Sequence, residues 1–309
     1  MISKDSEIRD AMAGNFWQSS HCAQWVLDRT DLSRERAADL AILSEEEYTK
    51  VMIFYCSFIQ VLGEQLKLRQ QVIASATVFF KRFYAMNSLN SVDPLLLAPT
   101  CVFLSSKVEE FGVISNTRLI NTCSTIIKNK FSYAFNSGFD FPYRANSILE
   151  CEFYLLENMD CCLVVFQPYR PLTQYCQDLG QGLEEAVLPL AWRIVNDSFR
   201  TDVCLLFPPF LIALSCLHMA SAILGRNIVF SSVHNQSALY FFQAKISGLG
   251  LRTLPWTWTR SRRSQSTSWP SMISGRVTMR RRRSTQSSRR CQNQNLPLLK
   301  INFSSNLKS

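Results

Sequence analysis

Glycine, histidine and, over the last quarter of the chain, acidic residues are in short supply. Only 10 glycines occur in 309 residues, while apolar residues make up 47% and recur at helical rather than alternating spacing. Both points favour an all-α fold with a large core. The three histidines, His21, His218 and His234, are scattered, and none of the 11 cysteines falls in a CxxC pair, so no metal site with short ligand spacing is expected. There is no glycine-rich phosphate loop, no GxSxG and no histidine beside a nucleophilic cysteine. Asp197 and Asp202 with Glu184 and Glu185 can be drawn as an acid/base set, but nothing else supports one. No catalytic residue and no cofactor are expected, and an enzyme is the weakest reading.

A long membrane-spanning run is missing as well. The longest apolar stretch, Phe207–Leu224, opens on Pro208 and Pro209, contains His218 and barely reaches the ~20 residues a bilayer requires. It reads as a buried central helix. Met1–Asp10 is charged and does not read as a secretory signal. Cys56, Cys101, Cys151, Cys161, Cys162, Cys204 and Cys216 lie in apolar stretches and read as reduced, buried thiols of a cytosolic or nuclear protein.

The net charge of +9 hides two regimes. Residues 1–225 hold 18 Lys and Arg and all 24 Asp and Glu; residues 226–309 hold 15 Lys and Arg and no acid. The two parts are therefore read separately.

Phe16–Asp28 reads as a short amphipathic helix anchored by Trp17 and Trp25. Ser44 and Glu47 form a capping box, so a helix is predicted from Glu45 to about Leu62. A second is predicted over Leu68–Met86, with Val72, Ala76, Phe79, Phe80 and Phe83 inward. Asp93–Pro94 is a cap followed by proline at the first helical position. The helix behind it, to about Glu109, is apolar nearly all round and belongs at the centre of a bundle, with Pro99 bending it. Ser115 is read as the cap of a fourth helix, to about Asn129. Pro142 is read as the start of a fifth, to about Met159, with Ile148, Cys151, Leu155 and Met159 on one stripe. A similar order begins again: Pro168–Leu179, Leu188–Phe199, then Pro208–Leu224, again apolar all round behind proline. The pattern reads as a structural duplication whose second copy is incomplete.

The stretches MAGNFWQSSH (12–21), LSEEEY (43–48), LKLRQQVIASATVFFKRFYA (66–85), DPLLLAPTCVFLSSKVEEFG (93–112), ILECEFYLLENMDCCL (148–163) and PLAWRIVNDSFRTD (189–202) carry a resemblance to the cyclin family, in its Mediator kinase-module branch. It covers about residues 12–225. The resemblance implies a five-helix cyclin box (45–162) behind an N-terminal extension and helix (1–44), followed by a partial second box (166–225). It also implies nuclear location and partnership with the cyclin-dependent kinase of the Mediator kinase module and other subunits of that module, with the first box docking on the kinase.

In this family a Lys at the end of the third helix and a Glu on the fifth hold the kinase; here those positions are Lys107 and Glu152. Both are charged groups in strongly apolar surroundings, where breaking a buried pair costs roughly 3–5 kcal/mol. Glu109 and Glu110 are weaker kinase-facing candidates, with Phe103, Leu104 and Phe153 as apolar contacts. The competing readings are a solvated helix end for Lys107, Glu109 and Glu110, and plain core packing for the three apolar residues. Trp192, Asn196 and Asp197 resemble groove residues that meet another Mediator subunit; a core Trp beside a polar cap is the alternative.

Residues 226–309 combine Trp256, Trp258 and Trp269 with Arg280–Arg283, Arg289 and Arg290 in a Ser/Thr background. Such a tail can bind nucleic acid through phosphates and stacking, which would make the chain a helical transcription-factor core with a basic arm. The preferred reading is out-of-frame translation. The family's C-terminal Lys-Met-Pro-Lys-Pro-Lys-Pro, read one base out of step, gives RCQNQNL, as at Arg290–Leu296. A nucleic-acid partner is expected only if the tail is genuine.

Overall fold

The computed structural model describes residues 15–135, 139–179 and 183–225. All of its regular elements are helical. A 3₁₀ turn at Phe16–Gln18 precedes α1 (Ser20–Gln24), α2 (Arg29–Glu35) and α3 (Ala37–Leu40). The long helices of the first unit follow: α4 (Glu45–Gln65), α5 (Gln70–Met86), α6 (Pro94–Val108), α7 (Asn116–Asn129) and α8 (Ala145–Asn158). Then come α9 (Tyr169–Asp178), α10 (Leu183–Ser198), α11 (Val203–Leu206) and α12 (Pro209–Ile223). The described chain divides into two units, one of residues 15–167 with 198–207, the other of 168–197 with 208–225.

In the first unit α6 is the hub, packing against α4, α5, α7 and α8. Its sequence dictates that place. Leu95, Leu97, Ala98, Cys101, Val102, Phe103 and Leu104 are all buried, so no polar face is left to turn to solvent. Asp93 caps the helix by accepting from the Leu95 N–H at 2.8 Å, and Pro94 occupies a position whose N–H has no helical acceptor. The capping box of α4 forms in full: the Glu47 N–H donates to Ser44 Oγ, and Glu47 accepts from the Ser44 N–H at 2.9 Å. Gly63 is needed where α4 meets α5, because a Cβ there would run into Ile73.

Several expectations fail for identifiable reasons. The segment after Phe16 breaks into the 3₁₀ turn and α1; Trp25 is buried at 4% exposure, but Trp17 is 66% exposed. Pro142 does not begin α8, which starts at Ala145. Residues 141–143 stay outside the helix, where the Phe141 and Tyr143 rings are buried edge to face and the Tyr143 hydroxyl donates to Asp93 at 2.6 Å. Ser115 occupies the N-cap of α7 but makes no side-chain cap bond. Cys161 is exposed and Cys162 half-buried, against the expectation of buried thiols.

A buried charge cluster ties residues 198–207 into the first unit. Asp202 accepts from both Arg36 terminal nitrogens (2.6 and 3.1 Å) and from Lys81 Nζ (3.2 Å). Lys81 also donates to the carbonyls of Thr201 (2.8 Å) and Arg200 (3.3 Å). Burial works against the Asp202 charge, yet Lys81 and the Arg36 fork outweigh it and hold the carboxyl well below its ordinary range.

In the second unit α9 packs against α12, burying Tyr169, Leu172 and Cys176 with Ile212, Ala213, Leu217 and Ala220. Among the described residues no helix is long and apolar enough to cross a membrane, and no three His, Cys, Asp or Glu side chains gather to hold a metal ion.

Candidate functional site

The last turn of α6 and the middle of α8 lie side by side, because both helices bury an apolar stripe in the same core. On α8 the stripe is Ile148, Cys151, Leu155 and Met159. Glu152 is adjacent to that stripe and is buried with it, its side chain only 7% exposed. The ammonium of Lys107, from α6, pairs with the Glu152 carboxylate. It also lies 4.4 Å from the centre of the Phe103 ring, a cation–π contact. Its side chain remains 35% exposed, so the pair is open to solvent on the Lys107 side and closed on the Glu152 side. Phe103 and Leu104 are buried and form the floor, whereas Phe153 is 73% exposed. The structure thus brings Lys107 and Glu152 together, leaves Phe153 open beside them, and assigns Phe103 and Leu104 to the core.

The two acids behind Lys107 have different surroundings. Glu109 accepts a short hydrogen bond from the Ser75 hydroxyl of α5, and Gln167 in turn donates to Ser75 Oγ at 2.8 Å. Glu110 is exposed and left-handed, with φ of 50°. Its N–H donates to the Lys107 carbonyl, and the Phe111 N–H to the Ser106 carbonyl, closing a Schellman cap with glutamate where glycine is usual. A non-glycine residue there costs roughly 1–2 kcal/mol. Beyond the cap, Phe111 and Val113 are exposed. The end of α6 therefore presents one paired but part-exposed cation, one exposed carboxylate and exposed apolar side chains.

Sequence reasoning missed the N-terminal seat. His21 Nδ1 accepts from the Phe166 N–H at 3.0 Å, and burial, reinforced by Arg82, lowers the imidazole's pKa to about 3. Arg82 is fully buried, donates to the Cys162 carbonyl at 3.1 Å and lies 5.0 Å from the Trp25 ring centre. Burial pushes its pKa down to about 10. The signal was present as FKRFY, two cations inside an otherwise apolar helix.

In the second unit, Trp192 and Asn196 both meet Tyr169. The Trp192 and Tyr169 rings lie 4.4 Å apart, and the Tyr169 hydroxyl donates to Asn196 Oδ1 at 2.8 Å. Trp192, Asn196 and Asp197 are all half-buried.

Comparison with known proteins matches the cyclin N-terminal domain over residues 29–164 and the cyclin C-terminal domain over 167–246, past the compositional break at 225. The Cyclin-C of Drosophila melanogaster is 68% identical over 216 residues, covering 70% of this chain and 79% of that protein. The rat Cyclin-C is 66% identical over 212 residues, 69% of this chain and 73% of that one. Among solved structures, a chain of the CAK complex of Chaetomium thermophilum superposes with a TM-score of 0.58 at 22% identity, each chain covered to 79%. A chain of yeast TFIIK gives 0.55 at 23% identity, over 73% of this chain and 97% of that one. Those two share the fold. The all-helical bundle with an apolar α6 at its hub, the match to both cyclin domains and the high identity to the fly and rat proteins together place this chain in the cyclin family, among the Cyclin-C proteins.

Proposed function

We propose that the chain is the regulatory subunit of a cyclin-dependent kinase of the Mediator kinase module, acting in the nucleus on RNA polymerase II transcription. It is not itself an enzyme. A protein kinase is active only when its mobile αC helix is held inward, so that a glutamate on that helix reaches the ATP-binding lysine. The observation that carries the reading is Lys107, part-exposed at the last turn of α6 and paired with Glu152 from the middle of α8, beside exposed Phe153. Lys107 can donate to the partner helix on its open side while Glu152 fixes its position, so little side-chain freedom is lost on docking. Phe153 supplies exposed apolar area to bury. Glu110 offers its carboxylate to a kinase arginine, while Glu109 is engaged by Ser75. Trp192, Asn196 and Asp197 are assigned to a second face, for another subunit of the same module, on the strength of the family likeness; crosslinking from position 196 tests it.

The test is co-purification with the Mediator kinase. Lys107→Ala with Glu152→Ala is expected to abolish it while the helical circular-dichroism signal persists. Retained binding would count against the assignment.

A further inference from the structure

We propose that Cys161 and Cys162 form a peroxide-sensitive dithiol site whose closure to a vicinal disulfide loosens the N-terminal seat. The two thiols share the turn after α8, and Cys161 is exposed. The Cys162 thiol donates to Gln24 Oε1 at 2.9 Å, and the Cys162 carbonyl accepts from Arg82, whose guanidinium stacks on Trp25. Cys162 thus touches the N-terminal segment directly through its sulfur and indirectly through its backbone. The sulfur holds Gln24 only as a thiol, because a disulfide has no hydrogen to donate.

The surrounding thiols do not compete. Cys56, Cys101, Cys123, Cys151, Cys176, Cys204 and Cys216 are buried. Burial also pushes the pKa values of Cys56, Cys101 and Cys204 up, which suppresses the reactive thiolate. The one other accessible thiol among the described residues is Cys22, half-buried on α1.

The chemistry balances with hydrogen peroxide as oxidant. The Cys161 thiolate attacks one peroxide oxygen; an S–O bond forms, the O–O bond breaks, and hydroxide leaves and takes up a proton as water. The Cys162 sulfur then attacks the sulfenic sulfur; an S–S bond forms, the S–O bond breaks, and a second water leaves. Two thiols lose two hydrogens and peroxide becomes two waters. Adjacent Cα atoms are only about 3.8 Å apart, closer than the roughly 4.4 Å minimum of ordinary disulfides, so the closed form is strained and readily reduced. Residues 160 and 161 are both left-handed, at φ of 49° and 53°, so the turn that must rearrange begins from an unfavourable conformation.

The test treats the full-length chain with graded hydrogen peroxide, blocks remaining thiols with iodoacetamide, and weighs the peptide carrying both cysteines. That peptide is expected to lose two hydrogens, resist alkylation and recover with dithiothreitol. Amide exchange over residues 19–28 is expected to quicken about fivefold, the scale of one lost neutral hydrogen bond. Cys161→Ser and Cys162→Ser should each abolish the mass change. Cys162→Ser should keep the unoxidised exchange rate, since serine still donates to Gln24. A persistent sulfenic or sulfinic acid on Cys161 with Cys162 alkylated, a Cys22–Cys162 bridge, or a closed dithiol with unchanged exchange over 19–28 would each overturn the proposal.

Discussion

The third long helix of the first unit and the last described helix of the second are built to one plan and end differently. Each has 15 residues, starts at a proline and is apolar nearly all round. Helix α6 packs against four other long helices and finishes in a Schellman cap carrying Lys107, Glu109 and Glu110. Helix α12 packs against α9 and finishes in Ile223 and Leu224, both partly exposed. The same apolar-all-round plan makes a hub of the first, and on the proposed reading it is the charged turn at the end of that helix that docks a partner.

The strongest way to break the first unit is to remove the charge that binds residues 198–207 to it. Asp202→Ala leaves Lys81 and Arg36 buried without their carboxylate, and is expected to cost about 3–5 kcal/mol, read by urea denaturation. Next come matched truncations of the two hubs. Leu97→Ala in α6 is expected to cost about 2–5 kcal/mol and to lower the main unfolding midpoint. Leu217→Ala in α12 should shift only an earlier transition, leaving the first unit intact; a shared loss would mean that the two units unfold as one.

A pH experiment sharpens the contrast from the side of the N-terminal seat. The folded pKa of His21 is lowered, so its neutral form is favoured by folding. The unfolded chain therefore binds the proton first, and stability present above pH 6.5, the ordinary imidazole value, is lost progressively toward pH 3. Asp202, also depressed, adds to that loss in the acid range below about pH 4. His21→Asn should flatten the dependence between pH 6.5 and 4.5, measured by thermal melts. The smallest effect expected is at the cap: Glu110→Gly should stabilise by about 1 kcal/mol by relieving the left-handed glutamate.

Much of the bundle could be read from residues alone, because its signals are local. The Ser44/Glu47 box, the Asp93–Pro94 start and the stripe from Ile148 to Met159 each rest on neighbours within a turn or two, and each is found. Lys107 and Glu152 were singled out by the family resemblance, since a solvated helix end explained Lys107 equally well, and their pairing with one another is a tertiary fact that spacing does not contain. The same holds for Ser75 with Glu109 and for Lys81 with Asp202. The segment around Pro142 misled because burial of Phe141 and Tyr143 overrode proline's preference for a helix start. The short helices α2, α3 and α11 run for two turns or fewer, too short for an apolar stripe to repeat and be detected.

The central claim is that Lys107 and Glu152 form a surface read by a kinase, rather than only an internal brace. A charge swap, Lys107→Glu with Glu152→Lys, separates the two roles, because it keeps the pair and reverses its polarity. Kinase activity reconstituted with the swapped chain is expected to stay at the level of the Lys107→Ala variant, with unchanged helical content. Full restoration of activity by the swap would contradict the claim and reduce the pair to a structural brace.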